Sequence, residues 1–164
     1  MDDVLSVRSR STAEVEKRAM SAPGLLNEAY DYALPSSFSR GVRVAQGNIT
    51  ILFISGTASV DENGMTAHAG DLRAQCRRAF TNVAALLASE GASWRDVVRT
   101  TCYLRDIERD YREFNEERTA FYQQQGLDLL PASTGIQAIL CRAELLVEIE
   151  AIAILCRPPG RQSE

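Results

Sequence analysis

Residues 145–155 read Leu-Leu-Val-Glu-Ile-Glu-Ala-Ile-Ala-Ile-Leu, and no other stretch constrains the fold as strongly. The length of the stretch and its β-branched residues predict a buried strand. Because side chains alternate along a strand, one face is wholly apolar and the other carries Glu148 and Glu150, about 7 Å apart. Unpaired charges are rarely buried. Either the two glutamates pair with cations on a neighbouring strand, or one of them lines a functional site.

The length and charge of the chain narrow its class. A chain of 164 residues predicts one domain with its own core. Its 45% hydrophobic and 24% charged residues are typical of a soluble globular protein. The net charge of −4 provides no basic field for nucleic acid, and no apolar run reaches the ~18 residues of a membrane span. We therefore predict no nucleic-acid partner and no membrane partner.

The cysteines and the histidine bear on metals and on the compartment. Cys76, Cys102, Cys141 and Cys156 are far apart without a C-x-x-C pair, and His68 is the single histidine. A zinc or iron site would have few candidate ligands, so we predict no metal. The N-terminus is acidic and then polar, unlike a secretory signal. Free thiols in such a chain indicate a reducing cytoplasm.

The chain is predicted to consist of an N-terminal extension (1–34), one domain (35–157) and a polar tail (158–164). In the extension, residues 11–14 read Ser-Thr-Ala-Glu and fit a capping box. They predict a short helix to about Met20, which Pro-Gly at 23–24 ends.

Alternating and helical patterns predict the order β-β-α-β-α-β-β from residue 38 onward. Gly47-Asn48 has the turn chemistry of a hairpin, and Asp71 is a suitable N-cap for the first helix. The predicted elements cover, in order, residues 38–46, 50–58, 72–90, 96–105, 110–125, 133–140 and 145–155. This order predicts an α+β fold in which two helices lie on one face of a mixed sheet.

The sheet face opposite the helices is predicted to be polar in part. Placing the apolar side of each strand against the helices leaves on the other face Ser55, Thr57, Arg99, Thr101, Arg105, Gly135, Gln137, Glu148 and Glu150. Phe53, Tyr103, Ile152 and Ile154 share that face. Such a mixture suits neither a core nor a solvated surface, so we predict that it packs against other subunits, with a ligand pocket between them.

Several motifs recur in order along residues 35–156. They are Ile54-Ser55-Gly56, Gln75, Asn82-Val83, Leu86-Leu87, Gly91-Ala92-Ser93, Asp96-Val97-Val98, Thr101, Phe114-Asn115-Glu116, Pro131-Ala132 and Val147-Glu148-Ile149-Glu150. At this spacing they resemble the RidA family, also called the YjgF or L-PSP endoribonuclease family. The resemblance implies a chorismate-mutase-like fold and a cofactor-free homotrimer that binds small molecules in clefts between subunits.

The resemblance also implies site residues. The family glutamate that orients or activates water matches Glu148, while Gly56 and Asn115 match a glycine and an asparagine of the site. Members that hydrolyse enamines and imines grip the substrate carboxylate with the arginine of a P-A-R-S motif, where this chain has Ser133. A family tyrosine corresponds to Phe38. The acid/base carboxylate is retained and the substrate clamp is not, since serine cannot replace a guanidinium.

A second resemblance is to the chorismatase branch of the superfamily. It rests on residues 55–59 (Ser-Gly-Thr-Ala-Ser), 68–71 (His-Ala-Gly-Asp) and 131–136 (Pro-Ala-Ser-Thr-Gly-Ile). This resemblance implies hydrolysis of an enol ether with a glutamate as the proton-handling group. Chorismatases are longer and carry a second related domain.

We predict that Glu148 is a general acid/base whose pKa is raised by an apolar pocket. A structural ion pair with Arg99 or Arg105 is the alternative. The predicted substrate-binding residues are Phe38, Gly56, Thr57, Asn115, Ser133, Gly135, Gln137 and Cys141. The leading function is hydrolytic, deaminase-type cleavage of an imine or enamine by a glutamate-activated water. An enol-ether hydrolase and a non-catalytic ligand-binding trimer are the alternatives.

Overall fold

The computed structural model describes residues 14–33 and 35–156. The elements of these residues are β1 (Glu16–Met20), β2 (Gly41–Gln46), β3 (Ile49–Ala58), α1 (Leu72–Ser89), β4 (Val97–Leu104), α2 (Ile107–Gln124), β5 (Ala132–Gln137) and β6 (Val147–Cys156). The strands form one sheet in the order β1-β2-β3-β6-β4-β5. β4 and β5 are parallel and the other neighbours are antiparallel. The predicted α+β fold with a mixed sheet is confirmed.

The strand that carries Glu148 and Glu150, β6, lies in the middle of the sheet between β3 and β4. Its predicted apolar face is buried from Val147 to Leu155, with Val147, Ile149 and Ala153 fully inaccessible, whereas Leu145 precedes the strand and packs with Ala58 and Leu140. This face packs against α1, which contacts both β3 and β6. Burial of this apolar surface is the main favourable contribution to folding.

Both helices begin at an aspartate. The carboxylate of Asp71 accepts a hydrogen bond from the backbone N–H of Ala74 at 2.9 Å, as predicted for an N-cap. Asp106 accepts from the N–H of Arg109 at 3.1 Å, so α2 begins one turn before the predicted start at residue 110. The rings of Phe80 and Phe121 stack at a centroid distance of 4.6 Å and join the two helices.

The helix predicted up to Met20 is wrong. Residues Glu16–Met20 form β1, which pairs antiparallel with β2, and Met20 is fully buried in the core with Leu26. The first three residues of the predicted capping box lie outside the described residues. The open edge of β2 offers this segment a ladder of hydrogen bonds, and that long-range pairing prevails over the local capping signal. Residues 14–33 therefore share the core of the predicted domain.

A β-bulge in β3 corrects the predicted face of Thr57. Ile54 pairs with Ala151 and Thr57 pairs with Ile149, so β3 uses one residue more than β6 over this interval. A bulge reverses the alternation of the following side chains. Thr57 consequently faces the helices and is 1% exposed.

The register of β5 corrects two further faces. Gly135 pairs with Cys102 and Gln137 pairs with Leu104, both of which are buried under the helices. Gly135 and Gln137 therefore lie on the helix side of the edge strand, whereas they were predicted on the opposite face with Glu148.

None of the described helices is both long enough and apolar enough to span a membrane.

Candidate active site

Glu148 lies at the centre of the sheet, on the face away from the helices. Its neighbours across the sheet are Ala58 on β3 and Tyr103 on β4. Its carboxylate lies against the bulge of β3, where a Cβ added to Gly56 would be 1.9 Å from Oε1. A side chain at position 56 would have to displace the carboxylate, so the glycine determines where the Glu148 carboxylate lies.

The surroundings of Glu148 disfavour its charged form. Burial raises the pKa of the Glu148 carboxyl above its ordinary value, and the negative charge of Glu150 raises it further. No cation among the described residues lies within ion-pair distance of Glu148. Arg99 donates to a threonine hydroxyl, and Arg105 donates to backbone carbonyl groups of residues 140–145. The alternative of an ion pair between Glu148 and either arginine is therefore wrong.

The second glutamate of the strand has a different environment. Tyr103 donates its hydroxyl to the Glu150 carboxylate at 2.9 Å, and this bond raises the pKa of Tyr103. No described residue donates a hydrogen bond to the side chain of Glu148. Two carboxylates in unlike environments can take different roles, and the unpartnered one is free to handle a proton.

Glu148 opens into a cavity of about 980 Å³. Three of the predicted substrate-binding residues, Phe38, Gly56 and Cys141, line it together with Glu148. The structure therefore brings these four predicted residues together in a single chain. Their side chains and backbone come from β6, the β3 bulge and two loops that are far apart in the sequence.

The lining residues that were not predicted from the sequence include Tyr32, Arg40 and Arg142. The guanidinium groups of both arginines lie 5.1 Å from the centre of the Tyr32 ring. Tyr32 belongs to the segment that was predicted to be an extension, and Arg142 lies between the predicted strands 133–140 and 145–155. The signal that was available is the position of Arg142, shortly before the strand that carries Glu148.

Buried amides on α1 hold the walls of the cavity. Gln75 donates to the carbonyl groups of His68 and Glu144 at 3.1 and 2.8 Å, and it accepts from the N–H of Leu146. Asn82 donates to the carbonyl of Ala58 at 3.0 Å, beside the bulge. Hydrogen bonds that buried amides donate to backbone carbonyl groups are costly to disrupt, so Gln75 and Asn82 fix the loops on both sides of the cavity. Asn82 Oδ1 itself has no partner among the described residues.

Asn115 and Ser133 lie elsewhere, beside a second cavity of about 280 Å³ on the helix side of the sheet. Arg118 joins them, since its guanidinium donates to Asn115 Oδ1 at 2.6 Å and to Ser133 Oγ at 3.0 Å. Within one chain, these two predicted residues do not share the cavity of Glu148.

Thr57, Gly135 and Gln137 line neither cavity. Thr57 donates to the backbone carbonyl of Ser55, and Gln137 accepts from the N–H of Ile107 at the start of α2. A Cβ at Gly135 would touch the side chains of the same helix. Their predicted role in substrate binding stays a prediction.

Within the described part of the chain, no cluster of three or more His, Cys, Asp or Glu side chains is arranged to hold a metal ion.

Residues 33–155 match the family model described as endoribonuclease L-PSP. A RutC family protein of Pyrococcus abyssi is 30% identical over 116 residues, which are 71% of this chain and 84% of that protein. The 3-aminoacrylate deaminase RutC of Acinetobacter baylyi is 30% identical over 103 residues, 63% of this chain and 78% of that protein.

Two further proteins extend the comparison. The 2-iminobutanoate/2-iminopropanoate deaminase of Salmonella typhimurium is 30% identical over 105 residues, 64% of this chain and 80% of that protein. The crystal structure of the yjgF gene product of E. coli matches with a TM-score of 0.62 and 27% identity, covering 79% of this chain and 96% of that chain. The family match spans both the β3 bulge and the Glu148 strand, as the motifs predicted, and the chain belongs to the RidA/YjgF family.

Proposed function

We propose that the protein hydrolyses a small imine or enamine and that Glu148 activates the water. The observation that carries this proposal is the half-buried carboxylate of Glu148, which has no partner among the described residues, faces a cavity and has a raised pKa. A group with such a pKa exchanges protons more readily at physiological pH than an ordinary carboxylate. The deaminase names of the Acinetobacter and Salmonella relatives support the same reaction class.

The proposed reaction needs acid/base help from one group. Glu148 takes a proton from water while the water oxygen bonds to the carbon of the C=N group, and the electron pair of the C=N bond moves to nitrogen. The protonated Glu148 then returns the proton to nitrogen. Glu148 next accepts the proton of the new hydroxyl group and passes it to the nitrogen, the electron pair of the O–H bond forms the carbonyl, and the C–N bond breaks to release ammonia. An enamine first accepts a proton from protonated Glu148 on its carbon, which converts it to the iminium ion that the water then attacks.

We also propose that the protein works as a homotrimer with shared clefts. The uncovered sheet face exposes Phe53 and Ile154, each at 44%. Large apolar residues on a sheet face favour contact with another subunit. Asn115 and Ser133 would then approach Glu148 from a neighbouring subunit, because they lie on the other side of the sheet within one chain.

All four cysteines are free thiols, which favours a reducing compartment such as the cytoplasm.

Ammonia release from a panel of imines and enamines tests the reaction, with chorismate included for the enol-ether alternative. Glu148→Gln should lower turnover by about 10²-fold or more, since it removes the proton acceptor, and should still bind the product acid. Glu108→Gln is the control because Glu108 is an exposed carboxylate on α2. Hydrolysis of chorismate alone would favour the enol-ether reaction. Ligand binding by the wild type without any turnover would favour a non-catalytic binding protein.

A further inference from the structure

The cavity of Glu148 contains two arginines that have no acidic partner among the described residues. Arg40 and Arg142 both line it, and neither forms an ion pair with a described carboxylate. The two carboxylates that line the same cavity, Glu144 and Glu148, are thus beyond ion-pair distance of both guanidinium groups. Arg40 is 3% exposed. Buried charges are normally paired, so two cations that converge here indicate a place for an anion from outside the chain.

The two cations converge on one aromatic ring. Each guanidinium carbon lies 5.1 Å from the centre of the Tyr32 ring, within the range of a cation–π contact. Two positive groups on one ring repel each other, and a bound anion would relieve that repulsion. Tyr32 therefore positions both charges at the wall of the cavity.

Arg142 presents a free edge of its guanidinium. Its Nη1 donates to the carbonyl oxygen of Gly64 at 2.6 Å and to Thr66 Oγ1 at 3.4 Å. Among the described residues its Nε and Nη2 have no acceptor, and these two groups form the fork that binds a carboxylate with two parallel hydrogen bonds. Arg105 donates to the backbone carbonyl of Arg142 and so holds its loop in place.

Arg40 has a different set of contacts. Its Nε and Nη2 both donate to the carbonyl oxygen of Asn27, at 2.8 and 2.7 Å, so this edge is already occupied. Arg40 also donates to the hydroxyl oxygen of Tyr32. That hydroxyl accepts a bond from Arg40 and keeps its own proton for a ligand in the cavity.

We propose that Arg142 and Tyr32, with Arg40 behind them, form a carboxylate-binding subsite in the cavity of Glu148. The Arg142 fork holds the two carboxylate oxygens, and the Tyr32 hydroxyl donates a further hydrogen bond. This subsite comes from the loop before β6 and from the N-terminal segment, whereas the family motif would place its arginine at Ser133 on β5. The statement that this carboxylate belongs to the substrate rests on the function proposed above.

The experiment measures binding of two probes that differ in charge alone. These are 2-oxobutanoate, which is the acid that hydrolysis of 2-iminobutanoate leaves, and its neutral amide, 2-oxobutanamide. Calorimetric titration of the full chain should give an affinity about tenfold higher for the acid, since charge-assisted hydrogen bonds are stronger. The titration is repeated on Glu148→Gln, so that an absence of turnover does not affect the result.

Variants assign the preference to residues. Arg142→Gln should abolish the preference for the acid, and Arg142→Lys should keep only part of it because the ammonium lacks the fork. Tyr32→Phe should weaken acid binding several-fold and leave amide binding unchanged. Arg112→Gln is the matched control, because Arg112 is exposed on α2 and lies outside the cavity, and it should keep the wild-type preference.

The proposal is overturned if the wild type binds acid and amide equally, or if a folded Arg142→Gln keeps the preference. In either case the arginines serve only to tie the loops of residues 27 and 64. If Arg142→Gln fails to fold, the Tyr32→Phe and Arg142→Lys titrations decide the question. Turnover without a preference for the acid would leave the proposed hydrolysis intact and remove the subsite. A preference for the acid without turnover would support the subsite and contradict the proposed hydrolysis.

Discussion

At the scale of single residues, the site depends on space and charge around one carboxylate. Gly56 leaves the room that the Glu148 carboxylate occupies, and Glu150 adds a negative charge nearby. The motifs predicted Gly56 and Glu148 as site residues. Their contact could not be predicted, because it depends on a bulge that brings residues 92 positions apart in sequence against each other.

Gly56→Ala should lower turnover by about 10²-fold, because its Cβ displaces the carboxylate by roughly an ångström or more. The free energy of unfolding should change by less than about 1 kcal/mol, since the end of a flexible side chain can move away. Ammonia release and urea denaturation check the two parts. Adding Gly56→Ala to Glu148→Gln should cause no further loss of turnover, because both changes act through the same group. Additive losses would contradict this explanation.

Glu150→Gln tests the effect of the negative charge of Glu150 on the pKa of Glu148. Glu150 raises the pKa of Glu148, so removing its charge should lower that pKa. The limb of the pH–rate profile that reports the ionisation of Glu148 should therefore move to lower pH. The amide oxygen introduced at position 150 should still accept the hydrogen bond from Tyr103. The pH dependence of kcat measured for the wild type and for Glu150→Gln checks the direction. An unmoved limb would mean that it reports another group.

At the scale of elements, the N-terminal segment (residues 14–33) contributes more to the sheet, the core and the cavity than was predicted for an extension. It adds β1 to the sheet, contributes Met20 to the core and places Tyr32 in the wall of the Glu148 cavity. Arg18 on β1 also donates two hydrogen bonds, at 2.8 and 2.6 Å, to Glu90 beyond the end of α1. The segment is thus tied to both the sheet and the helix layer.

Arg18→Gln should lower the free energy of unfolding by about 1–3 kcal/mol, because the Glu90 carboxylate is 3% exposed and loses two hydrogen bonds. Urea denaturation measures the loss. Amide hydrogen exchange in the β1–β2 ladder should also become faster, because the strand loses an anchor. Lys17→Gln is the control on the same strand, since Lys17 is exposed. Equal effects of both variants would show that the Arg18 contact contributes nothing specific.

At the scale of the whole molecule, no described helix or strand covers one face of the sheet. Its exposed apolar residues include Phe53 and Ile154, which lie on neighbouring strands. The helices cover the other face. A sheet that is apolar on both faces needs a second layer, and further copies of the chain would supply it.

Ile154→Asp should dissociate the proposed trimer. Light scattering on the eluting wild type should give about three times the chain mass of 18.1 kDa. The variant should elute as a single chain, because a carboxylate would be buried at the interface without a partner. Ala120→Asp, on the exposed side of α2, should leave the mass unchanged. A wild-type mass of one chain would contradict the proposal.

The sequence by itself determined the types and the order of most elements, from β2 to β6. The alternation along β6, the Gly47-Asn48 hairpin and the Asp71 cap are local signals, and each acts within a few residues. The motifs, because they preserve such local patterns in order, also identified the family and the Glu148 strand.

The tertiary structure alone decided which side chains meet. A single extra residue in β3 turned Thr57 to the core, and the parallel register of β5 turned Gly135 and Gln137 to the helices. The partners of Glu148 in its cavity, Tyr32 and Arg142, come from loops at opposite ends of the chain. Local periodicity carries no information about such pairings, because the register between strands is set by long-range packing and one shifted residue reverses every face beyond it.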